Sequence, residues 1–141
     1  MFKYCVWYVL KDTHIIHQQI RRYSQAFNTE HFTAHITVRH SLEKEEAIEL
    51  YMNHVSKKES FSPVGSPVIT CCTKNDKYFY SIEQPLTNGR HISLAYRVNS
   101  GFHPMELAIV GKISTIAIDD IQLCVVDCSS EHPKEWEILS I

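Results

Sequence analysis

The sequence has little of what marks several large classes of protein. It has no basic excess, since 14 Lys and Arg stand against 16 Asp and Glu in 141 residues, and this argues against broad binding to a nucleic-acid backbone. No apolar run approaches the length that a bilayer span requires. No linker or low-complexity stretch divides the chain, and its 44% hydrophobic content is ordinary for a globular protein. We therefore expect one domain over residues 1–141.

The five cysteines also lack a pattern, because their number is odd and no Cys-x-x-Cys pair occurs. Cys71 and Cys72 are adjacent in an expected strand, where their side chains would point to opposite faces. We expect reduced and mostly buried thiols. The first residues, 1–4, lead directly into a strand-like run with no apolar core of a signal peptide. We therefore expect a cytoplasmic protein, with the nucleus as the alternative.

The spacing of apolar residues predicts the element order β-α-β-α-β-β-β-α-β-β. Strands are expected at 2–10, 33–39, 66–73, 78–83, 90–97, at 114–118 with a continuation at 121–126 after the interruption by Asp119 and Asp120, and at 135–141. Helices are expected from a cap at Asp12 or Thr13 to about Ala26, from a cap at Ser41 to about Lys58, and from Pro104 to about Val110. The long helices come early and the strands late, which favours an α+β fold with antiparallel sheet over a doubly wound parallel one.

A short motif of alternating polar and apolar residues occurs twice. The copies are His35-Ile36-Thr37-Val38 and His91-Ile92-Ser93-Leu94, and they begin 56 residues apart. Successive side chains of a strand point to opposite faces, so each copy puts its histidine and hydroxyl on one face and its two apolar residues on the other. Two such strands placed side by side would bring two imidazoles and two hydroxyls to one spot.

This set of side chains suits in-line displacement at phosphorus. An unperturbed histidine has a pKa of about 6.5, so near neutral pH one imidazole can be neutral while its partner is protonated. The neutral ring can take a proton from an attacking water, and the protonated ring can give one to a leaving alkoxide. The hydroxyls of Thr37 and Ser93 can donate to the equatorial oxygens of a phosphoryl group. No metal ion is needed.

Single copies of such a pattern carry little information. A third tripeptide, at 31–33, has a histidine and a threonine but no alternating apolar pair after it, and we expect it only to lead into the strand. His14 and His17 have a spacing that can hold zinc on a helix, but no cysteine or carboxylate cluster joins them, which favours surface histidines. The aromatic run at 78–80 could stack on a base or pack in the core. Arg90 could meet a phosphate, although solvent exposure is the simpler expectation.

With its two H-h-[ST]-h strands, where h is hydrophobic, the chain resembles the 2H (two-histidine) phosphoesterase superfamily, and within it the cyclic phosphodiesterases of plants and fungi. Supporting features are Trp7 in the opening strand, AHITV before a helix that begins SLEKEEA, HISLAY, and the tail IQLCVVD…EWEIL. The similarity covers most of the chain. It implies two pseudo-symmetric lobes with antiparallel sheets flanking a central cleft, with the helices on the outside.

The resemblance also implies roles for individual residues. His35 and His91 become the catalytic acid–base pair, Thr37 and Ser93 bind the phosphate, and Tyr96 lines the cleft. Tyr96 has odd spacing from His91, so it faces the cleft only if the strand bends, and a core tyrosine is the alternative. No metal or cofactor is implied, and we expect a monomer with no protein partner and no membrane association.

The implied reaction is hydrolysis of 2′,3′-cyclic phosphates of nucleosides, RNA ends or ADP-ribose. The segment 83–89, just before the second motif, is shorter than is usual in this family, so we expect a more open cleft. This leaves a 2′–5′-linked oligoadenylate or an RNA 3′ tail as an alternative substrate. An alternative of another class is a module that binds nucleotides without turnover.

Overall fold

The computed structural model describes residues 3–57, 59–74, 76–130 and 135–139, and it confirms the α+β class with antiparallel strands. These residues contain seven strands and three helices. The strands are β1 Tyr4–Leu10, β2 His35–Leu42, β3 Val68–Lys74, β4 Lys77–Pro85, β5 His91–Val98, β6 Ile121–Asp127 and β7 Glu137–Leu139. The helices are α1 Ile15–Phe27, α2 Lys44–His54 and α3 Pro104–Ala108.

All seven strands belong to one sheet, in the order β3-β4-β5-β2-β1-β6-β7. Each neighbouring pair is antiparallel. The aromatic and β-branched strand β1 pairs with β6 along all seven of its residues. The two motif strands, β2 and β5, are direct neighbours near the middle of this sheet.

The two faces of the sheet are buried differently. One face carries the main core, in which α1 packs on the strands; its members include Val6, Tyr8, Leu10, Ile36, Ile92, Leu94 and Val125 of the sheet and Ile16, Ile20, Tyr23 and Phe27 of the helix. The other face carries a smaller cluster of Cys5, Trp7, Cys124, Val126 and Cys128. Because the motif isoleucines face the main core, strand alternation turns the motif histidines toward the face of the smaller cluster.

The predicted helix boundaries are partly wrong. The N-cap of α1 is His14, whose Nδ1 accepts the Ile16 N–H at 3.2 Å, and not Asp12 or Thr13. The N-cap of α2 is Glu43, which forms a reciprocal capping box with Glu46. Ser41, the predicted cap, instead lies within β2.

Helix α2 ends at His54, earlier than its predicted end at residue 58, which lies outside the described residues. Within the described ranges, no helix is long and apolar enough to cross a bilayer.

The predicted strand at 114–118 is also wrong. Only Ile116 pairs, in an isolated bridge with Phe61 closed by hydrogen bonds of 2.9 and 2.7 Å. Both side chains are fully buried, so this apolar stretch fixes a loop against the core rather than adding a strand. The final strand is shorter than predicted and spans Glu137–Leu139, while residues 140 and 141 lie outside the described part.

All five cysteines are reduced thiols. Cys5, Cys124 and Cys128 are buried, as expected for most of the thiols. Cys71 and Cys72 are both exposed, because they lie on the edge strand β3. These two thiols are the exceptions to the expected burial.

The pairing of β2 with β5, which we call the seam, is short: Ile36 and Ile92 are its one registered pair of residues. The side chain of Arg90 reinforces it. Its Nη1 donates to the Val38 carbonyl at 2.8 Å and lies 3.4 Å from the Thr37 carbonyl. Arg90 is therefore a half-buried clamp across the seam and not the solvent-exposed cation that the sequence suggested.

We expect Arg90→Met to lower the free energy of unfolding by about 2 kcal/mol, because it removes a charged donor and leaves a carbonyl without its partner. Urea denaturation of the variant and of wild type measures this. Arg39→Met, at an exposed position of the seam strand β2, is the control and should change the stability by less than about 0.5 kcal/mol. Equal stabilities of the two variants would contradict the clamp.

Candidate functional site

The antiparallel seam brings the two motifs together. The motif isoleucines are registered partners. Extending this register by one residue on each side sets His35 opposite Ser93 and Thr37 opposite His91, and directly opposed residues share a face of the sheet. Each histidine therefore has the hydroxyl of the other motif as its cross-strand neighbour. The four polar side chains that the sequence singled out converge on one face.

His35 is enclosed by aromatic rings and has an exposed fraction of 5%. Its ring stacks on Trp7, with centroids 3.4 Å apart and planes 10° from parallel. The rings of Phe32 and Trp136 meet it edge-on at 6.3 and 6.0 Å. Its Nδ1 lies 2.7 Å from the Thr33 carbonyl, which can only accept, so Nδ1 carries the proton. In the neutral ring, Nε2 is then the free acceptor.

Burial is the main cause of a pKa of about 4 for His35. The hydrogen bond to Thr33 raises the pKa and the nearby His91 lowers it further, so the two histidines interact electrostatically. The face of Trp7 would favour a cation, but the loss of hydration outweighs this attraction. His35 is therefore neutral at pH 7.

His91 has a different environment although its motif is the same. It is the first residue of β5, and its side chain is 46% exposed. Its Nε2 lies 3.5 Å from Oε1 of Glu83, on the neighbouring strand β4. A carboxylate at this distance attracts an imidazolium. The site thus combines a buried neutral histidine with an accessible one beside a negative charge.

A bulge places Tyr96 on the same face as the motif histidines. The register between β4 and β5 shifts between Ser93 and Ala95, so Leu94 is an extra residue of β5. The extra residue reverses the alternation of side chains beyond it. Tyr96 is consequently the partner of Ser81, and its side chain lies toward the site. The sequence predicted this orientation only for a strand that bends, and the bulge supplies the change of direction.

The Tyr96 side chain contacts several parts of the site. Its ring lies 4.6 Å from Phe32 and 5.8 Å from Trp136, and its hydroxyl is hydrogen-bonded to Ser93. Burial raises the pKa of Tyr96 far above its usual value near 10, and the hydrogen bond with Ser93 only partly opposes this. The phenol therefore stays neutral and can donate a hydrogen bond to a ligand.

Sequence reasoning missed the groups that surround the histidines. Glu83 was placed at the end of the expected strand 78–83 and in the short segment before the second motif, with no role assigned, although its strand pairs with that motif. Trp7 appeared as a family feature without a partner. Trp136 approaches from the C-terminal segment, and nothing local in the sequence signals that contact. The tripeptide 31–33 was expected only to lead into the strand. It supplies both the Phe32 ring and the Thr33 carbonyl that hold His35.

The other candidates have structural contacts of their own. His14 caps α1 and lies 3.6 Å from Asp120, and the Nε2 of His17 is 3.0 Å from the Leu10 carbonyl. Within the described ranges, no three His, Cys, Asp or Glu side chains are grouped as a metal ion would require. A cavity of about 600 Å³ between the ends of β1, β6 and β7 contains neither motif histidine.

The burial of His35 predicts a pH-dependent stability. Between pH 6.5 and about 4 the unfolded chain binds a proton here that the folded chain does not, so the free energy of unfolding falls as the pH falls. The loss from this residue between pH 7.5 and pH 5 should be about 2 kcal/mol. His35→Asn has its amide nitrogen at the position of Nδ1, so it keeps a donor for the Thr33 carbonyl but does not titrate, and its pH profile in urea denaturation should be flatter by that amount. Parallel profiles would contradict the burial.

Comparison of this chain with protein-family models, with curated proteins and with solved structures finds no match. The resemblance to the 2H superfamily therefore rests on the two motifs and their flanking residues alone. The function proposed next rests on the geometry of the four motif side chains.

Proposed function

We propose that this chain is a metal-independent phosphodiesterase of the 2H type that hydrolyses 2′,3′-cyclic phosphates with His35 and His91 as its acid–base pair. The observation that supports this most is the register of the seam, in which each histidine faces the hydroxyl of the other motif. A phosphoryl group at the centre of these side chains has a histidine toward each end and a hydroxyl beside each histidine. Such an arrangement suits in-line displacement, in which the attacking and leaving oxygens lie at opposite ends of the phosphorus.

The environments of the histidines suggest how a proton moves. His35 is neutral, and its Nε2 takes a proton from water while the water oxygen attacks phosphorus. The bond from phosphorus to one ribose oxygen breaks, and that oxygen takes a proton from the His91 imidazolium. Thr37 and Ser93 donate to the equatorial oxygens as their negative charge grows. The product is a phosphate monoester, and proton exchange with solvent restores both rings.

The site lies where two halves of the sheet meet, and we propose that these halves act as two pseudo-symmetric lobes with a cleft between them. Strands β3, β4 and β5 form one half, and β2, β1, β6 and β7 form the other. Antiparallel pairing relates the two motif strands by a local two-fold axis through the seam. Each half thus contributes one histidine and one hydroxyl. The three helices lie outside this face.

The exposure of His91 favours a second candidate substrate. Its half-exposed side chain leaves room for a chain of nucleotides on the side of β4. The short segment before it closes in a tight turn at Thr87–Gly89 rather than in a longer helix. A 2′–5′-linked oligoadenylate or an RNA 3′ tail could therefore enter where a more closed cleft would admit only a cyclic mononucleotide.

Replacing either histidine by Ala should lower kcat/KM on a 2′,3′-cyclic nucleotide by about 10²–10⁴-fold, the usual contribution of an acid–base group. Thr37→Val and Ser93→Ala should have smaller effects, because each removes one neutral donor. His40→Ala, at an exposed position of β2, is the control and should keep the wild-type rate. Undiminished hydrolysis by a correctly folded His91→Ala protein would overturn the assignment.

A panel of substrates, run in EDTA, separates the two candidates. Cyclic mononucleotides should be hydrolysed with higher kcat/KM than 2′–5′ oligoadenylates or RNA 3′ tails if the small substrate is correct, and the order should reverse if the open side of the site is used. Activity should not depend on an added metal, because the two histidines supply both proton transfers. Complete loss of hydrolysis on chelation would contradict both candidates.

A further inference from the structure

We propose that the Glu83 carboxylate sets the charge selectivity of this site. It makes the site bind a singly charged phosphodiester in preference to a doubly charged phosphomonoester. The inference rests on the proposed function, since it concerns the same site. It adds a residue that neither the motifs nor the resemblance assigns. It also gives a physical reason for the release of the product.

The carboxylate lies within the site rather than beside it. Glu83 is the registered partner of Ser93, so the two side chains are on the same face and next to each other. Its Oε1 is also 3.5 Å from Nε2 of His91. Any phosphate that is held by the Ser93 hydroxyl and faces His91 is therefore within a few ångströms of this negative charge.

The charge of Glu83 acts on its surroundings. It is one of the causes that raise the pKa of Tyr96, whose hydroxyl also bonds Ser93. Repulsion between like charges grows in proportion to the charge on the ligand. A phosphodiester carries one negative charge, whereas a phosphomonoester carries about two at neutral pH. The carboxylate must therefore penalise the monoester more.

Two hydroxyl groups hold Glu83 in this position. Thr70 Oγ1 donates to its Oε1 at 2.8 Å, and Ser81 Oγ lies 3.2 Å from the same oxygen. The two hydroxyls are themselves 2.7 Å apart. Burying a carboxylate is unfavourable without such donors, and here three strands combine to keep one beside the proposed phosphate site.

The cationic side chain next to the second motif does not offset this charge. The guanidinium of Arg90 is directed at the carbonyls of Thr37 and Val38 and stabilises the seam. His35 is neutral. His91, when it is protonated, is then the cation that faces the phosphate, and Glu83 partly neutralises it. A monoanion matches such a site better than a dianion does.

Calorimetric binding at pH 7 tests the proposal with a matched pair of ligands, 3′-deoxyadenosine 2′-monophosphate and its methyl ester. These differ by one charge, and the missing 3′-hydroxyl prevents cyclisation. In Glu83→Gln, affinity for the monoester should rise about tenfold and affinity for the ester about threefold, because the removed repulsion scales with ligand charge. Glu83→Asp keeps the charge and should keep the wild-type preference. Glu49→Gln, at an exposed position of α2, should change neither affinity.

Equal changes for the two ligands in Glu83→Gln, or no change, would overturn the proposal. The measurement does not require turnover, so its outcome is separate from that of the proposed catalysis. Charge selection without hydrolysis of any cyclic phosphate would remove the catalytic assignment and leave the role of Glu83 intact. Hydrolysis without charge selection would do the reverse.

Discussion

The pairing of Ile36 with Ile92 is the interaction on which the site depends. Both side chains are fully buried, and their burial fixes the register of β2 against β5. A slip of one residue would turn one motif's histidine into the core and its isoleucine toward the opposite face, with a cost for each. Hydrophobic packing on one face therefore determines the relative placement of polar groups on the other. Arg90 strengthens this pairing where the backbone contributes little.

The seam creates near-symmetry, and the rest of the fold removes it. His35 lies on a strand flanked by β1, so Trp7 stacks on its ring and the loop before the strand supplies a carbonyl. His91 lies at the start of its strand, where one side is open and Glu83 stands beside it. One motif sequence thus occurs in two electrostatic environments. The two motif histidines are therefore not equivalent, although the seam alone would make them so.

Local pattern predicted much of the fold and half of the site. Alternation and β-branched content identified six of the seven strands closely, and the two motifs identified the four polar side chains that meet. Choices between local alternatives were less predictable: Ser41 and Glu43 can both cap a helix, and the end of β2 decides which one does. The Trp136 contact joins distant segments of the chain, and the Glu83 contact depends on the register of β4 against β5, so no local pattern reveals either one.

Strand alternation fails at a bulge, and here the failure shapes the site. If the strand alternated regularly through Leu94 instead of forming a bulge there, Tyr96 would point into the core, where its hydroxyl would need a partner. The bulge turns the ring to the opposite face, where Ser93 provides one. The same shift lies next to the pairing of Glu83 with Ser93. One extra residue in β5 therefore sets both the phenol and the carboxylate beside the second motif, which explains why that half of the site departs from the symmetry of the seam.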